Sequence, residues 1–238
     1  MNAFDQFLWV IFPYLMLSIS VVGHIYRYKI NQLNWSARSS EFLEKNHLRW
    51  GSILFHYGII FVFFGHVAGL LIPAKVVSQL GITDEIYHIF AIYSGGAAGI
   101  IVTIGLLLLF VRRVSNERVS INSSFTDKFI LILLLILIGF GLYNTLIYNV
   151  FFGSFNYRIT IAPWLRSLIV FAPDAKLMVG VPLSYQIHVL LSFLIVGVWP
   201  FSRLVHIWSV PIDFLYRRNI LYRKQKPISL PASSTKYS

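Results

Sequence analysis

Seven histidines are spread over the 238 residues. Four of them sit where an unpartnered imidazole is costly: His56 and His66 inside one long apolar run, His188 and His206 inside another. The first pair brackets the stretch FHYGIIFVFFGH, which carries no charged side chain between its histidines. Ten helical residues rise about 15 Å and leave the two rings roughly 80° apart, on one half of a helix. The eighteen residues from His188 to His206 make about five whole turns and rise about 27 Å. Each run therefore presents two imidazoles on one side.

If the two runs cross a bilayer antiparallel, His66 meets His188 at one depth and His56 meets His206 at the other. A lone histidine in such a place is an interhelical hydrogen-bonding group. Matched pairs at two depths fit a more specific chemistry, because facing imidazoles are what a non-covalent b-type haem needs on its two axial faces. Two such groups stacked across the membrane make a path for electrons. The two rises differ by about 12 Å, which straight packed helices do not accommodate; Pro200 in GVWPFSRLVHIW predicts a kink. A metal or proton pathway would bring acidic residues to depth, and the nine Asp and Glu avoid the centres of the apolar runs.

Smaller features surround these histidines. Gly58, Gly65 and Gly69 remove side chains where a flat macrocycle approaches backbone, although glycine equally serves close helix packing. His24 and His47 read as interfacial or solvated. His88, in TDEIYHIF, opens the third apolar run three residues after Glu85. It reads as an interfacial anchor or as a hydrogen-bonding group for a quinol.

The elements that must position these side chains are membrane spans. The chain is 57% hydrophobic and 12% charged, with a mean hydropathy of +0.70. Five apolar runs, 7–26, 52–73, 87–111, 129–148 and 184–211, have the length of about 20 residues that a helix needs to cross a bilayer core. The expected fold is all-α, a polytopic five-helix bundle, over residues 1–222, followed by a basic tail, 223–238. The N-terminal run lacks a preceding cation and a small-residue cleavage site, so it reads as a retained first span. The net charge of +11 reflects topology and not nucleic-acid binding: sixteen of the twenty Lys and Arg fall on the 27–51, 112–128 and C-terminal side. The positive-inside rule then puts the N-terminus outside and the C-terminus in the cytoplasm. With no cysteine, disulfides, thiolate metal sites and thioether-linked haem are excluded.

The stretches IFPYL, ARSSEFLEK, SILFHYGIIFVFFGHVAGLL, SGGAAGI, the RR closing the third run and, above all, PFSRLVHIWSVP at 200–211 resemble the gamma subunit of respiratory nitrate reductase. The likeness runs in order along nearly the whole chain and is weakest in 145–183 and after about 222. It implies a five-span dihaem cytochrome b in the cell membrane, which oxidises quinol at the outer face. Its electrons pass to a cytoplasmic iron–sulfur (beta) subunit and on to a molybdenum-containing catalytic (alpha) subunit where nitrate is reduced. Carried over by motif, the haem ligands fall on His56, His66, His188 and His206, paired as above. The resemblance maps the quinol pocket to Gly65, Gly69, Tyr87 and His88. Arg112, Arg113 and Arg203 are candidates to pair with propionates of the inner haem, or serve only to fix topology. The alternative assignment is a haem-bearing quinol-oxidising subunit of a sulfur-cycle or disulfide reductase complex.

Overall fold

The computed structural model describes residues 2–30, 42–153 and 155–208. Every regular element among them is helical. Among the described residues five helices are long and apolar enough to cross a membrane: Ala3–Ile30, Asn46–Leu71, Asp84–Ser115, Phe125–Phe151 and Leu183–Phe201. In hydrocarbon a helix satisfies each backbone N–H within its own segment, which is why apolar runs of this length fold this way. Many large apolar side chains point outward in the isolated chain, with Phe61 71% and Tyr93 76% exposed, as suits a lipid-facing surface.

Polar residues set the span boundaries. Thr83 Oγ1 accepts the Ile86 amide at 3.3 Å and starts the third span, with Asp84 and Glu85 in its electropositive first turn. The fourth span opens with a capping box, in which Ser124 Oγ accepts the Asp127 amide and Asp127 Oδ2 accepts the Ser124 amide. The second and third spans pack through glycine. A Cβ at Gly58 would lie 2.9 Å from Val102, and one at Gly105 would collide with the Phe55 backbone. Gly58 therefore serves helix packing.

Two apolar clusters hold the bundle. Val102, Leu106, Ile130, Leu133, Leu134 and Ile195 join the third, fourth and fifth spans at mid-depth. Trp9, Ile161, Trp164, Leu168, Met178 and Tyr185 close the end away from the basic loops. The second cluster is built largely by the connection between the fourth and fifth spans. Its helix Ile161–Ile169 buries Trp164, whose Nε1 donates to the Trp9 carbonyl at 3.0 Å.

The fifth span corrects the sequence reading. Hydropathy marks one apolar span over 184–211 with a kink expected at Pro200, but the α-helix Leu183–Val198 tightens into a 3₁₀ turn, Trp199–Phe201, and then stops. Ser202 is extended, at φ −119° and ψ 178°, and a second 3₁₀ turn covers Arg203–Ile207. Pro200 has no amide to continue the ladder. The break is fixed from outside: Arg27 of the first span donates to the Pro200 carbonyl at 2.7 Å, and Gly23 lets the Pro200 ring lie against that span. Inside the bend Trp199 Nε1 donates to the Leu204 carbonyl at 2.8 Å. His206 thus follows the helix instead of lying on it. The expected rise of about 27 Å does not apply, and its mismatch with the second span disappears. Residues 209–211, the end of the 1–222 unit and the 223–238 tail lie outside the described residues.

Candidate functional site

The four histidines meet in the two pairs expected from depth. The His66 and His188 rings lie 6.2 Å apart, centre to centre, at an interplanar angle of 23°. His56 and His206 lie 5.8 Å apart at 73°.

The backbone orients each ring. Nδ1 of His56 donates to the Ser52 carbonyl at 2.7 Å, that of His66 to Val62 at 2.7 Å, and that of His206 to Arg203 at 2.7 Å. His188 reaches across to the fourth span and donates to the Leu137 carbonyl at 3.0 Å. A carbonyl only accepts, so Nδ1 carries the proton in all four and Nε2 is left with its lone pair. This is the arrangement of metal-ligating histidines, whose second nitrogen is tied to a carbonyl. Two imidazole nitrogens each about 2 Å from a shared metal, with ring centres set back behind them, stand roughly 6 Å apart, centre to centre. Both pairs match that spacing. The surroundings also suit a flat group. Gly65 faces open space, and Gly141 of the fourth span lies so near the His188 ring that a Cβ there would be 3.0 Å from its Cε1. Directly after His66 the helix loosens into a π turn over Val67–Leu71, a distortion common at functional sites.

Arginines crowd the end of the bundle near His56 and His206. Arg112 is 3% exposed; its Nε donates to Glu44 Oε2 at 2.7 Å and its Nη2 to the Glu44 carbonyl at 2.8 Å. Arg203 holds Asp127 in a two-point grip, with Nε 2.6 Å from Oδ1 and Nη2 2.8 Å from Oδ2. Arg113 lies 3.4 Å from the same carboxylate. Three guanidinium groups and two carboxylates thus gather at this end. Burial would raise the Glu44 carboxyl, but bonds from the His47 amide and Arg112 outweigh it and hold the group down at about 2. His47, expected to be solvated, makes its contact with this same carboxylate.

The opposite end carries a cavity of about 240 Å³, lined by Asp84, Glu85, Tyr87, His88, Asn156, Tyr157 and Arg158. Tyr87 and His88, singled out in the sequence, both line it, and His88 Nε2 is buried there without a hydrogen-bond partner. Gly69 lies one turn beyond His66. The space beside it is taken by the Tyr157 and Tyr87 hydroxyls, 2.6 and 3.0 Å from where its Cβ would be. Burial and the hydrogen bond with Tyr87 push the Tyr157 hydroxyl above its usual range, so it stays protonated.

A family profile described as the nitrate reductase gamma subunit matches residues 5–225. The chain belongs to that family. Among its relatives, the nitrate reductase gamma chain of Bacillus subtilis (strain 168) is 44% identical over 220 residues, covering 92% of this chain and 98% of that protein. The respiratory nitrate reductase 1 gamma chain of Escherichia coli (strain K12) is 32% identical over 224 residues, 94% of this chain and 99% of that one. The nitrate reductase-like protein NarX of Mycobacterium tuberculosis is 37% identical over 226 residues, which cover 94% of this chain but 35% of that longer protein. As a gamma subunit the chain is the multi-pass membrane component of an oxidoreductase assembled from several subunits.

Three contributions in this gamma subunit escape sequence reasoning. Gly141 and the Leu137 carbonyl fix His188 from a different span. Asp127 holds Arg203, whose carbonyl in turn holds His206. Arg158 comes from the connection before the fifth span yet joins Tyr87 and Asp84 in the cavity wall. Only Asp127 left a trace in the sequence, as the third residue after Ser124 in a capping box.

Proposed function

We propose that this gamma subunit is the quinol-oxidising dihaem cytochrome b of a respiratory nitrate reductase. In this reading His66 and His188 hold the outer haem b and His56 and His206 the inner one. Quinol is oxidised at the Tyr87–His88 cavity, at the outer face of the cell membrane, and electrons leave at the basic end. There a cytoplasmic iron–sulfur (beta) subunit accepts them for the molybdenum-containing alpha subunit, where nitrate is reduced. The N-terminus is outside and the C-terminus cytoplasmic.

One observation carries the proposal: four imidazoles in two facing pairs roughly 6 Å apart, each with Nδ1 tied to a carbonyl and Nε2 free. A haem held by each pair would supply one-electron redox chemistry. The chain's own residues do the rest. Backbone carbonyls fix each imidazole tautomer and raise its basicity as a ligand. Gly65 and Gly141 keep side chains away from the outer pair. Arg112, Arg113 and Arg203, at the end of the bundle near the inner pair, carry the planar guanidinium fork that suits carboxylates such as propionates. At the cavity, Tyr87 and His88 offer hydrogen bonds to a quinol ring, and the exposed Asp84 and Glu85 offer its protons a route to water.

The test is a dithionite-reduced minus oxidised spectrum of the purified chain, followed by reduction with quinol. Two b-type haems, both reducible by quinol, are expected. Absence of an α-band would leave the histidines as helix-to-helix hydrogen-bonding groups and end the proposal.

A further inference from the structure

Arg158 is 6% exposed, in the turn Tyr157–Ile159 between the fourth and fifth spans. Burying a guanidinium is costly unless its donors are matched, because its charge leaves water. Here the matching is incomplete. Nη1 donates to Asp84 at 2.9 Å, and the guanidinium lies over the Tyr87 ring, 4.0 Å from its centre. Nε and Nη2 are buried with no hydrogen-bond partner. The Asp84 side chain is 65% exposed, so solvent screens that pair and leaves much of the Arg158 charge uncompensated. A buried donor without a partner calls for an explanation, and a ligand oxygen is one.

The wall around Arg158 is suited to a flat ring bearing an oxygen. Tyr87 and Tyr157 present aromatic surface and hydroxyls, and His88 presents a free ring nitrogen. Among the residues lining the cavity, Arg158 is the one permanent cation. Through Tyr87 and Tyr157 the cavity abuts Gly69, one turn beyond His66.

We infer that Arg158 is the residue that recognises the quinol oxygen in this cavity, donating to it from the guanidinium and stabilising the negative charge that forms when the hydroxyl loses its proton. The inference rests on the reading of this cavity as the quinol site. In the step it governs, the quinol O–H bond breaks and its electron pair stays on the oxygen beside the guanidinium. The proton passes to the exposed Glu85 carboxylate and then to water. Arg158 cannot act as the base, since it does not deprotonate in proteins.

The test compares two ring probes on the purified haem-loaded enzyme: 2-methyl-1,4-naphthoquinone, which is neutral, and 2-hydroxy-1,4-naphthoquinone, which is anionic at neutral pH. Affinities are measured by calorimetry for the natural chain, Arg158→Gln, Arg158→Lys and Asp84→Asn, alongside dithionite spectra and the rate of haem reduction by quinol. The natural chain is expected to prefer the anionic ring. Arg158→Gln should lose that preference by about tenfold or more, the scale of a charge-assisted hydrogen bond, and slow quinol-driven reduction similarly with its dithionite spectrum unchanged. Arg158→Lys should keep part of the preference. Asp84→Asn breaks the ion pair but spares the cation, so it should keep the preference. Loss in Asp84→Asn equal to that in Arg158→Gln makes Arg158 a tie between the turn and the third span and overturns the inference. So does a natural preference in Arg158→Gln. A natural chain that has both haems but binds neither ring, and is not reduced by quinol, refutes the cavity reading itself.

Discussion

The His66 and His188 rings, on the second and fifth spans, face each other at 6.2 Å and are within 23° of parallel. One Nδ1 is tied within its own helix, to Val62, and the other crosses to Leu137 of the fourth span. Three spans therefore converge on one pair of nitrogens. The His56 and His206 pair is held differently, by one helix and one 3₁₀ turn.

That pairing sets the outcome of ligand removal. His66→Ala or His188→Ala should remove the outer haem and keep the inner one, and His56→Ala or His206→Ala should do the reverse. Redox titration of the four variants followed at the α-band checks this; loss of the same haem from His56→Ala and His66→Ala would refute it.

Gly141 is predicted to tolerate no larger side chain. A Cβ there would stand 3.0 Å from His188 Cε1. Gly141→Val should displace the ring, destabilise the protein by about 1–3 kcal/mol through overpacking, and reduce outer haem content selectively. Thermal unfolding in detergent and pigment assay measure the two effects. Gly139→Val is the control, because a Cβ at Gly139 meets nothing within 4 Å.

Asp127→Asn should loosen the inner pair from a distance. The carboxylate grips Arg203 at 2.6 and 2.8 Å, and the Arg203 carbonyl orients His206. The expected cost is about 1–3 kcal/mol, with a shifted inner-haem potential and an unchanged outer one. Equal shifts in both potentials would break the proposed link.

Glu44 gives a pH dependence with a definite sign. Its carboxyl is held at about 2 in the fold, against 4.5 as the ordinary value. Depression means that the folded state binds the proton less well, so Glu44 stabilises the fold fully above pH 4.5 and the contribution is lost as pH falls toward 2. Acid unfolding of Glu44→Gln should show less pH dependence in that window than the natural chain. Identical slopes would mean that the Arg112 pair adds nothing.

Tyr87 and His88 form a further test. Replacing both by Phe should slow quinol-driven reduction and leave dithionite spectra intact. Undiminished quinol oxidation in the double variant would place the pocket elsewhere and return His88 to the role of an interfacial anchor.

What the sequence by itself determined follows from quantities that add along a chain. Hydropathy summed over about 20 residues marks a span wherever it lies, so all five were legible, with boundaries off by a few residues except at the end of the fifth. Charge counted loop by loop, and histidines placed by depth, gave the two pairs before any contact was known. The likeness of PFSRLVHIWSVP to the gamma subunits pointed to the family from residues alone. Tertiary structure decided where the fifth helix stops. The apolar run continues past Pro200, and hydropathy does not register a break that Arg27 and Gly23 of a distant span stabilise. It also decided ring orientation, since His188 is fixed by the Leu137 carbonyl and His206 through Asp127 and Arg203. Arg158 reads in the sequence as one of four cations on the less basic side. Only packing lays it across Tyr87 and beside Asp84, because a connection's path over the bundle end is set by apolar contacts such as Trp164 against Trp9, which no local pattern encodes.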